Sequence, residues 1–168
     1  MAAALAGVVE EVSGGLADLG LEETIEVRET ERGVVMTLPG DLLFATGSAR
    51  VSAGGRRLLG ALLPLLQRPG LEVSVEGHTD AALSRSFGYA DNWALSLARA
   101  VAVARLLERG GVSPARLAVV GYGSSRPRVA GRPEHVGRYN RRVELVLRPE
   151  PDLEDISSAP AEPAAERA

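Results

Sequence analysis

The chain has 168 residues, 45% of them hydrophobic and 24% charged, a balance that fits one globular domain with attached segments and disfavours collagen-like, coiled-coil and wholly disordered chains. It contains no cysteine, which excludes a disulfide framework, a thiolate metal site and a cysteine nucleophile together. The net charge of −3 hides an asymmetry: acids dominate before Pro39 and from Pro149 onward, while residues 40 to 148 carry sixteen arginines against eight acids, a basic body that favours an anionic or zwitterionic partner.

Residues 3 to 19 place Leu5, Val8, Val9, Val12, Leu16 and Leu19 at spacings of three to four, which predicts an amphipathic helix weakened by Gly14 and Gly15. Its apolar run falls far short of the ~20 residues of a membrane span. Ile25 and Val27 alternate with charged residues, and a turn at Glu31-Arg32-Gly33 leads into residues 34 to 38, so the pair reads as a β-hairpin ended by Pro39-Gly40. Ser52 is the expected N-cap of a helix running to about Gln67, with a leucine-rich face and with Pro64 as a possible kink. Leu71, Val73 and Val75 alternate with Glu72, Ser74 and Glu76, predicting a half-buried strand that leaves His78-Thr79-Asp80 at its C-terminal end. A second helix is expected from an Asp91 cap to Arg109, stopped by Gly110-Gly111. Strands follow near residues 117 to 120 and 143 to 147, separated by residues 122 to 141, which read as a long loop. The tail from Pro149 has few apolar anchors and reads as disordered. The element order predicts a two-layer α/β sandwich: a mixed parallel and antiparallel sheet with helices on one face, plus an N-terminal helix.

Chemistry-bearing residues concentrate around the second helix. Asn92, Ser96 and Arg99 fall at i, i+4 and i+7, one stripe over its first turns, and Asp80 ends the neighbouring strand. A carboxylate and a guanidinium facing one cleft suit the ammonium and carboxylate of a zwitterion. An Asp80–Arg99 salt bridge tying strand to helix is the structural alternative. Catalysis is not supported: no Gly-x-Ser-x-Gly elbow holds a serine, and His78 and Asp80 at i, i+2 are poorly placed to bond each other. His78, Asp80 and His135 lack compact metal-ligand spacing, Gly121-Tyr122-Gly123 reads as a turn, and Trp93 reads as a packing residue. The arginines at 126, 128, 132, 138, 141 and 142 admit a nucleic-acid binder, but no recognised motif accompanies them.

Four motifs occur in order: Gly77-His78-Thr79-Asp80, then residues 92 to 100 as Asn-Trp-Ala-Leu-Ser-Leu-Ala-Arg-Ala, then Gly121-Tyr122-Gly123 with Arg126-Pro127, and last Asn140-Arg141-Arg142-Val143-Glu144. Together they resemble the OmpA-like peptidoglycan-binding domain over about residues 42 to 147. Within that family, the helix motif and the Leu43-Phe44-x-x-Gly47-Ser48-Ala49 segment are most similar to the periplasmic part of MotB-type flagellar stator subunits. One departure is that Gly137-Arg138-Tyr139-Asn140 is a residue shorter than the family's usual run.

The resemblance implies non-covalent binding of the diaminopimelate stem peptide, with no catalytic residue, cofactor or metal. Asp80 would take the ammonium and Arg99 the carboxylate, Thr79 and Asn92 would add hydrogen bonds, and Arg141 would support the pocket. It further implies residues 1 to 40 as a juxtamembrane segment, 41 to 148 as the binding domain and 149 to 168 as an acidic tail. The implied setting is a periplasmic fragment of an inner-membrane-anchored protein, homodimeric and partnered with a channel-forming stator subunit, with no nucleic acid.

Overall fold

The computed structural model describes residues 2–82 and 88–150; the expected disorder of the tail beyond 150 lies outside these residues. Helix α1 (Ala2–Asp18) leads into a hairpin of β1 (Glu26–Thr30) and β2 (Gly33–Pro39), followed by a one-turn helix α2 (Gly40–Leu43) and by α3 (Ala53–Leu66). Strand β3 (Leu71–His78), helix α4 (Asn92–Arg109), a short 3₁₀ turn (Pro114–Arg116), β4 (Leu117–Gly121), α5 (Pro133–Asn140) and β5 (Arg142–Pro149) complete the chain. The strands form one sheet in the order β1-β2-β5-β3-β4. Only β3 and β4 run parallel; the other pairs are antiparallel, so the sheet is mixed as predicted.

Local chemistry explains the boundaries. The Ser52 hydroxyl accepts from Gly55 N at the start of α3, and Asp91 Oδ1 accepts from Ala94 N at the start of α4, each satisfying an otherwise orphaned amide. Helix α4 ends with the amide of Gly111 bonded to Glu108 O and that of Val112 to Leu107 O. This double closure needs a left-handed residue, and Gly111 supplies it at φ +105. Helix α3 runs two residues past Pro64.

One face of the sheet carries the apolar core. Val34, Met36 and Leu38 of β2, Val73 and Val75 of β3, and Val143, Leu145 and Leu147 of β5 are buried together with Leu59, Leu62 and Leu66 of α3 and Val103 and Leu107 of α4. Leu5, Val12 and Leu16 of α1 join the same cluster. Of the two glycines expected to weaken α1, Gly15 has a packing use, since a Cβ there would meet Leu65 of α3 at 2.5 Å, whereas Gly14 has open space around it. No helix among the described residues is long and apolar enough to cross a membrane.

Two expectations are corrected. The segment after Tyr122 is not a continuous loop: α5 occupies residues 133 to 140. Its start is a proline at the first helical position, where a missing amide costs nothing, but eight residues with two apolar side chains are too short for periodicity to reveal. The polar residues of β3 are not a solvent face either. Ser74, Glu76 and His78 are buried, as are Thr37, Arg142 and Glu144 beside them. They are covered by arginines of the hairpin, with Arg32 paired to Glu76 and Arg28 to Glu144, and by Tyr122, whose ring stacks on His78 with centroids 5.1 Å apart.

Candidate functional site

The end of the sheet where β3 and β4 stop is shaped by two glycines. A Cβ on Gly77 would lie 2.1 Å from Ser96 O, and one on Gly121 would lie 2.7 Å from Leu97 N. Only hydrogen at both positions lets the first turns of α4 rest directly on the strand ends. The following turn fastens the arrangement, because Gly123 O accepts from Thr79 N and Gly123 N donates to Ser96 Oγ. Asn92 and Arg99 are thereby held beside Thr79 and Asp80.

A cleft of about 300 Å³ opens there, and Thr79, Asp80, Asn92, Arg99 and Arg141 all line it, joined by Asp41. Five side chains from three distant segments meet there: Asp80, Asn92 and Arg99 as the residue pattern suggested, Thr79 and Arg141 as the resemblance implied. The structural alternative, an Asp80–Arg99 salt bridge, is not formed, because Asp80 is joined to Arg141: its Oδ2 accepts from Arg141 Nη1 at 2.6 Å, and its Oδ1 from Ala82 N at 3.0 Å. Arg141 also reaches both oxygens of Asp41 at 3.3 Å. The hydrogen bond to Asp41 raises the Arg141 pKa most, against the opposing effect of burial, and Asp80 raises it further.

Arg99 is in the opposite condition. It is only 5% exposed, its Nε donates to Ser48 O at 2.8 Å, and its guanidinium lies 5.0 Å from the centroid of the Phe44 ring. Burial lowers its pKa, and Arg141 lowers it further by repulsion. Among the described residues it forms no carboxylate salt bridge, and only its Nε is hydrogen-bonded. Asn92 presents the complementary opening: its Nδ2 donates to Ala82 O at 2.9 Å, while its Oδ1 is buried without a partner among the described residues. Thr79 Oγ1 donates to Asp80 O. Among the described residues the cleft therefore offers unused donors at Arg99 and an unused acceptor at Asn92.

Other candidates are placed elsewhere. Ser96 faces the Gly123 turn, its hydroxyl bonded to Trp93 O and Gly123 N. His78 stacks on Tyr122, and His135 is exposed on α5, so neither forms a metal set with Asp80. Trp93 is 56% exposed and is not the packing residue expected. Of the arginine cluster, Arg142 is buried and bonds Glu144, Asn140 O and Arg126 O, Arg128 pairs with Glu26, and Arg126 and Arg138 lie over Tyr122 and Tyr139. Two site residues went unread in the sequence. Asp41 gave no signal, whereas Gly137 stands just before the Asn140-Arg141-Arg142 run. A Cβ there would lie 2.7 Å from Arg141 Nη1 and 2.8 Å from Asp80 Oδ2.

The model of the OmpA family matches residues 43–141, over half of the chain and all of the cleft's segments except Asp41. The chain belongs to the OmpA family. A MotB-like protein from Desulfovibrio vulgaris superposes with a TM-score of 0.82 at 30% identity, over 88% of this chain and 95% of that one. Motility protein B of Bacillus subtilis strain 168 is 27% identical across 86% of this chain and 56% of its own length. The peptidoglycan-associated lipoprotein of Pseudomonas aeruginosa is 46% identical over 80 residues, which is 48% of this chain and 45% of that protein. The chain spans about half the length of the curated relatives it matches.

Proposed function

We propose that this domain binds peptidoglycan non-covalently and anchors a flagellar motor stator to the cell wall, holding the diaminopimelate end of the stem peptide in the Asp80–Arg99 cleft. The observation that carries the reading is the unbalanced state of the cleft: among the described residues, a buried guanidinium with no carboxylate salt bridge stands near a buried carbonyl oxygen without a donor. A zwitterionic amino-acid end supplies both. Its carboxylate meets the free nitrogens of Arg99, and its ammonium meets Asn92 Oδ1 and the Asp80 carboxylate. Thr79 and Arg141 hold the Asp80 segment in place. The two aspartates and two arginines of the cleft sum to zero charge, which suits a ligand whose own end is neutral overall.

The stator assignment draws on the likeness to the MotB-like protein, which covers 88% of this chain. On this reading the chain works in the periplasm as a homodimer, beside the channel-forming membrane subunit of the stator. A different wall anchor is the second reading, favoured by the identity with the peptidoglycan-associated lipoprotein, but that match covers under half of this chain.

Co-sedimentation of the purified domain with isolated sacculi tests the binding claim. Retention that free diaminopimelate competes away is expected, and a domain that stays in the supernatant overturns it. Deleting the gene then separates the anchors: loss of swimming with an intact envelope supports the stator, and a leaky envelope with normal swimming supports the second reading.

A further inference from the structure

On the sheet face opposite the apolar core, Glu76, His78 and Glu144 place one ligand atom each within 4.8 Å of one another. The register dictates this. Glu76 sits directly across from Glu144 on the neighbouring strand, and His78 follows Glu76 by two residues, on the same face. Glu76 and His78 are each 2% exposed and Glu144 is 5% exposed. This group shares no residue with the cleft.

Each carboxylate has one oxygen occupied. Glu76 Oε1 accepts from Ser74 Oγ at 3.2 Å and from Arg32, and Glu144 Oε1 accepts from Arg142 Nε at 2.8 Å, with Arg28 more distant at 3.7 Å. The other sides are open. Glu76 Oε2 and both ring nitrogens of His78 are buried without a hydrogen-bond partner among the described residues, and His78 Nε2 lies 3.6 Å from Glu144 Oε2. A buried polar atom without a partner is costly, and one ion can serve Glu76 Oε2 and one of the two His78 nitrogens together.

We propose that Glu76, His78 and Glu144 form a binding site for a divalent transition-metal ion, Zn²⁺ by preference. Two carboxylate oxygens and one imidazole nitrogen make a three-residue donor set that leaves a fourth position for water, and the imidazole selects against magnesium and calcium. Ligands about 2.1 Å from a tetrahedral ion stand about 3.4 Å apart, close to the 3.6 Å between His78 Nε2 and Glu144 Oε2. The surrounding groups supply the outer support such sites need: Ser74, Arg32 and Arg142 fix the carboxylates, and Tyr122 fixes the plane of the imidazole by stacking. The arginines oppose a dication, yet Arg28 and Arg32 are about two-fifths exposed, so water screens them, while the buried Arg142 directs its charge at Glu144 Oε1 rather than at the Oε2 that faces His78. An ion here ties the end of β3 to β5 just before Thr79 and Asp80.

The test uses the purified chain after chelator treatment, titrated with ZnCl₂ by calorimetry and with CoCl₂ by visible absorption. One saturable ion per chain, Co²⁺ bands typical of tetrahedral coordination that Zn²⁺ erases, and a Zn²⁺-dependent rise in melting temperature are expected. His78→Gln should weaken binding by roughly a hundredfold or more, while His135→Gln leaves it unchanged. No saturable binding to the wild-type chain, or binding that depends on His135 and survives His78→Gln, overturns the proposal. If His78→Gln does not fold, the wild-type Co²⁺ spectrum decides: tetrahedral bands support the site, and their absence overturns it. Sacculus binding by the chelated protein is scored separately, so the two proposals fail independently.

Discussion

Replacing Arg99 with methionine removes a charge that the fold itself does not favour. The guanidinium is held by one hydrogen bond to Ser48 O and by its position over Phe44, contributions of about 1.5 to 3 and about 0.5 to 2 kcal/mol. Against them stands the cost of taking an unpaired cation out of water, several kcal/mol, which the lowered pKa reflects. Methionine fills a similar volume with no charge to desolvate. The stability of Arg99→Met should therefore stay within about 1 kcal/mol of wild type, a shift of roughly 2 to 4 °C in melting temperature. Binding should respond differently: losing a charged hydrogen bond to a ligand carboxylate costs about 1.5 to 3 kcal/mol, roughly a tenfold to hundredfold loss of affinity. Arg99→Lys keeps the charge without the planar fork and should fall between the two. Thermal melts and sacculus co-sedimentation on the same preparations make the measurement. Undiminished binding by a folded Arg99→Met protein refutes the ligand role, and a drop well beyond 10 °C would show that the guanidinium is a structural tie.

Arg141→Met should behave in the reverse manner. It leaves Asp80 and Asp41 facing each other without their shared cation, and because Arg141 is one-third exposed the cost is moderated to about 1 to 3 kcal/mol, read as a clear fall in melting temperature. Gly77→Ala forces a methyl against Ser96 O and should lose at least about 1 to 3 kcal/mol along with sacculus binding, whereas Gly7→Ala, with open space around it, should lose neither. Glu144 gives a pH signature in chelated protein. Burial alone would raise its pKa, but His78 and Arg142 more than reverse this and hold it at about 2, below the ordinary 4.5. A depressed carboxyl stabilises the fold above pH 4.5 and loses that contribution as pH falls towards 2, about 3 kcal/mol in all. Glu144→Gln should flatten that part of the stability profile, and an unchanged profile would refute the assignment.

Helix α4 was legible because its signals are local: an Asp91 cap, a long apolar periodicity and a glycine stop all lie in one stretch of chain. The convergence of Asp80, Asn92 and Arg99 was also legible, since strand end and helix start are joined by one connection. What could not be read was the partner of each charge. Asp80 meets Arg141 across sixty-one residues of sequence, a pairing set by the antiparallel lie of β3 and β5 and by the absence of a side chain at Gly137. The strand pattern misled for a related reason. Alternation distinguishes two faces, but it does not say that one is water, and here Glu76 and Glu144 lie beneath arginines that the sequence places on a different hairpin.

The two arginines of the cleft explain how one small site can be both rigid and receptive. Arg141 is over-supplied with carboxylates, so its charge is favoured, and it fixes the geometry around Asp80 before any ligand arrives. Arg99 is under-supplied, and the cation that orders its neighbour is also one that repels it. A ligand carboxylate relieves that repulsion and the burial cost together, so part of the cost of holding Arg99 in the empty fold returns as affinity. Asn92 repeats the logic in neutral form, with one end of its amide tied to Ala82 O and the other left open. The consequence is a coupling between occupancy and stability. Ligand at a hundred times its dissociation constant should stabilise the wild-type fold by about 2.7 kcal/mol. Arg99→Met at the same ligand concentration, with affinity a hundredfold weaker, should gain only about 0.4 kcal/mol. A cleft whose charges were all paired internally would show no such difference between the two proteins.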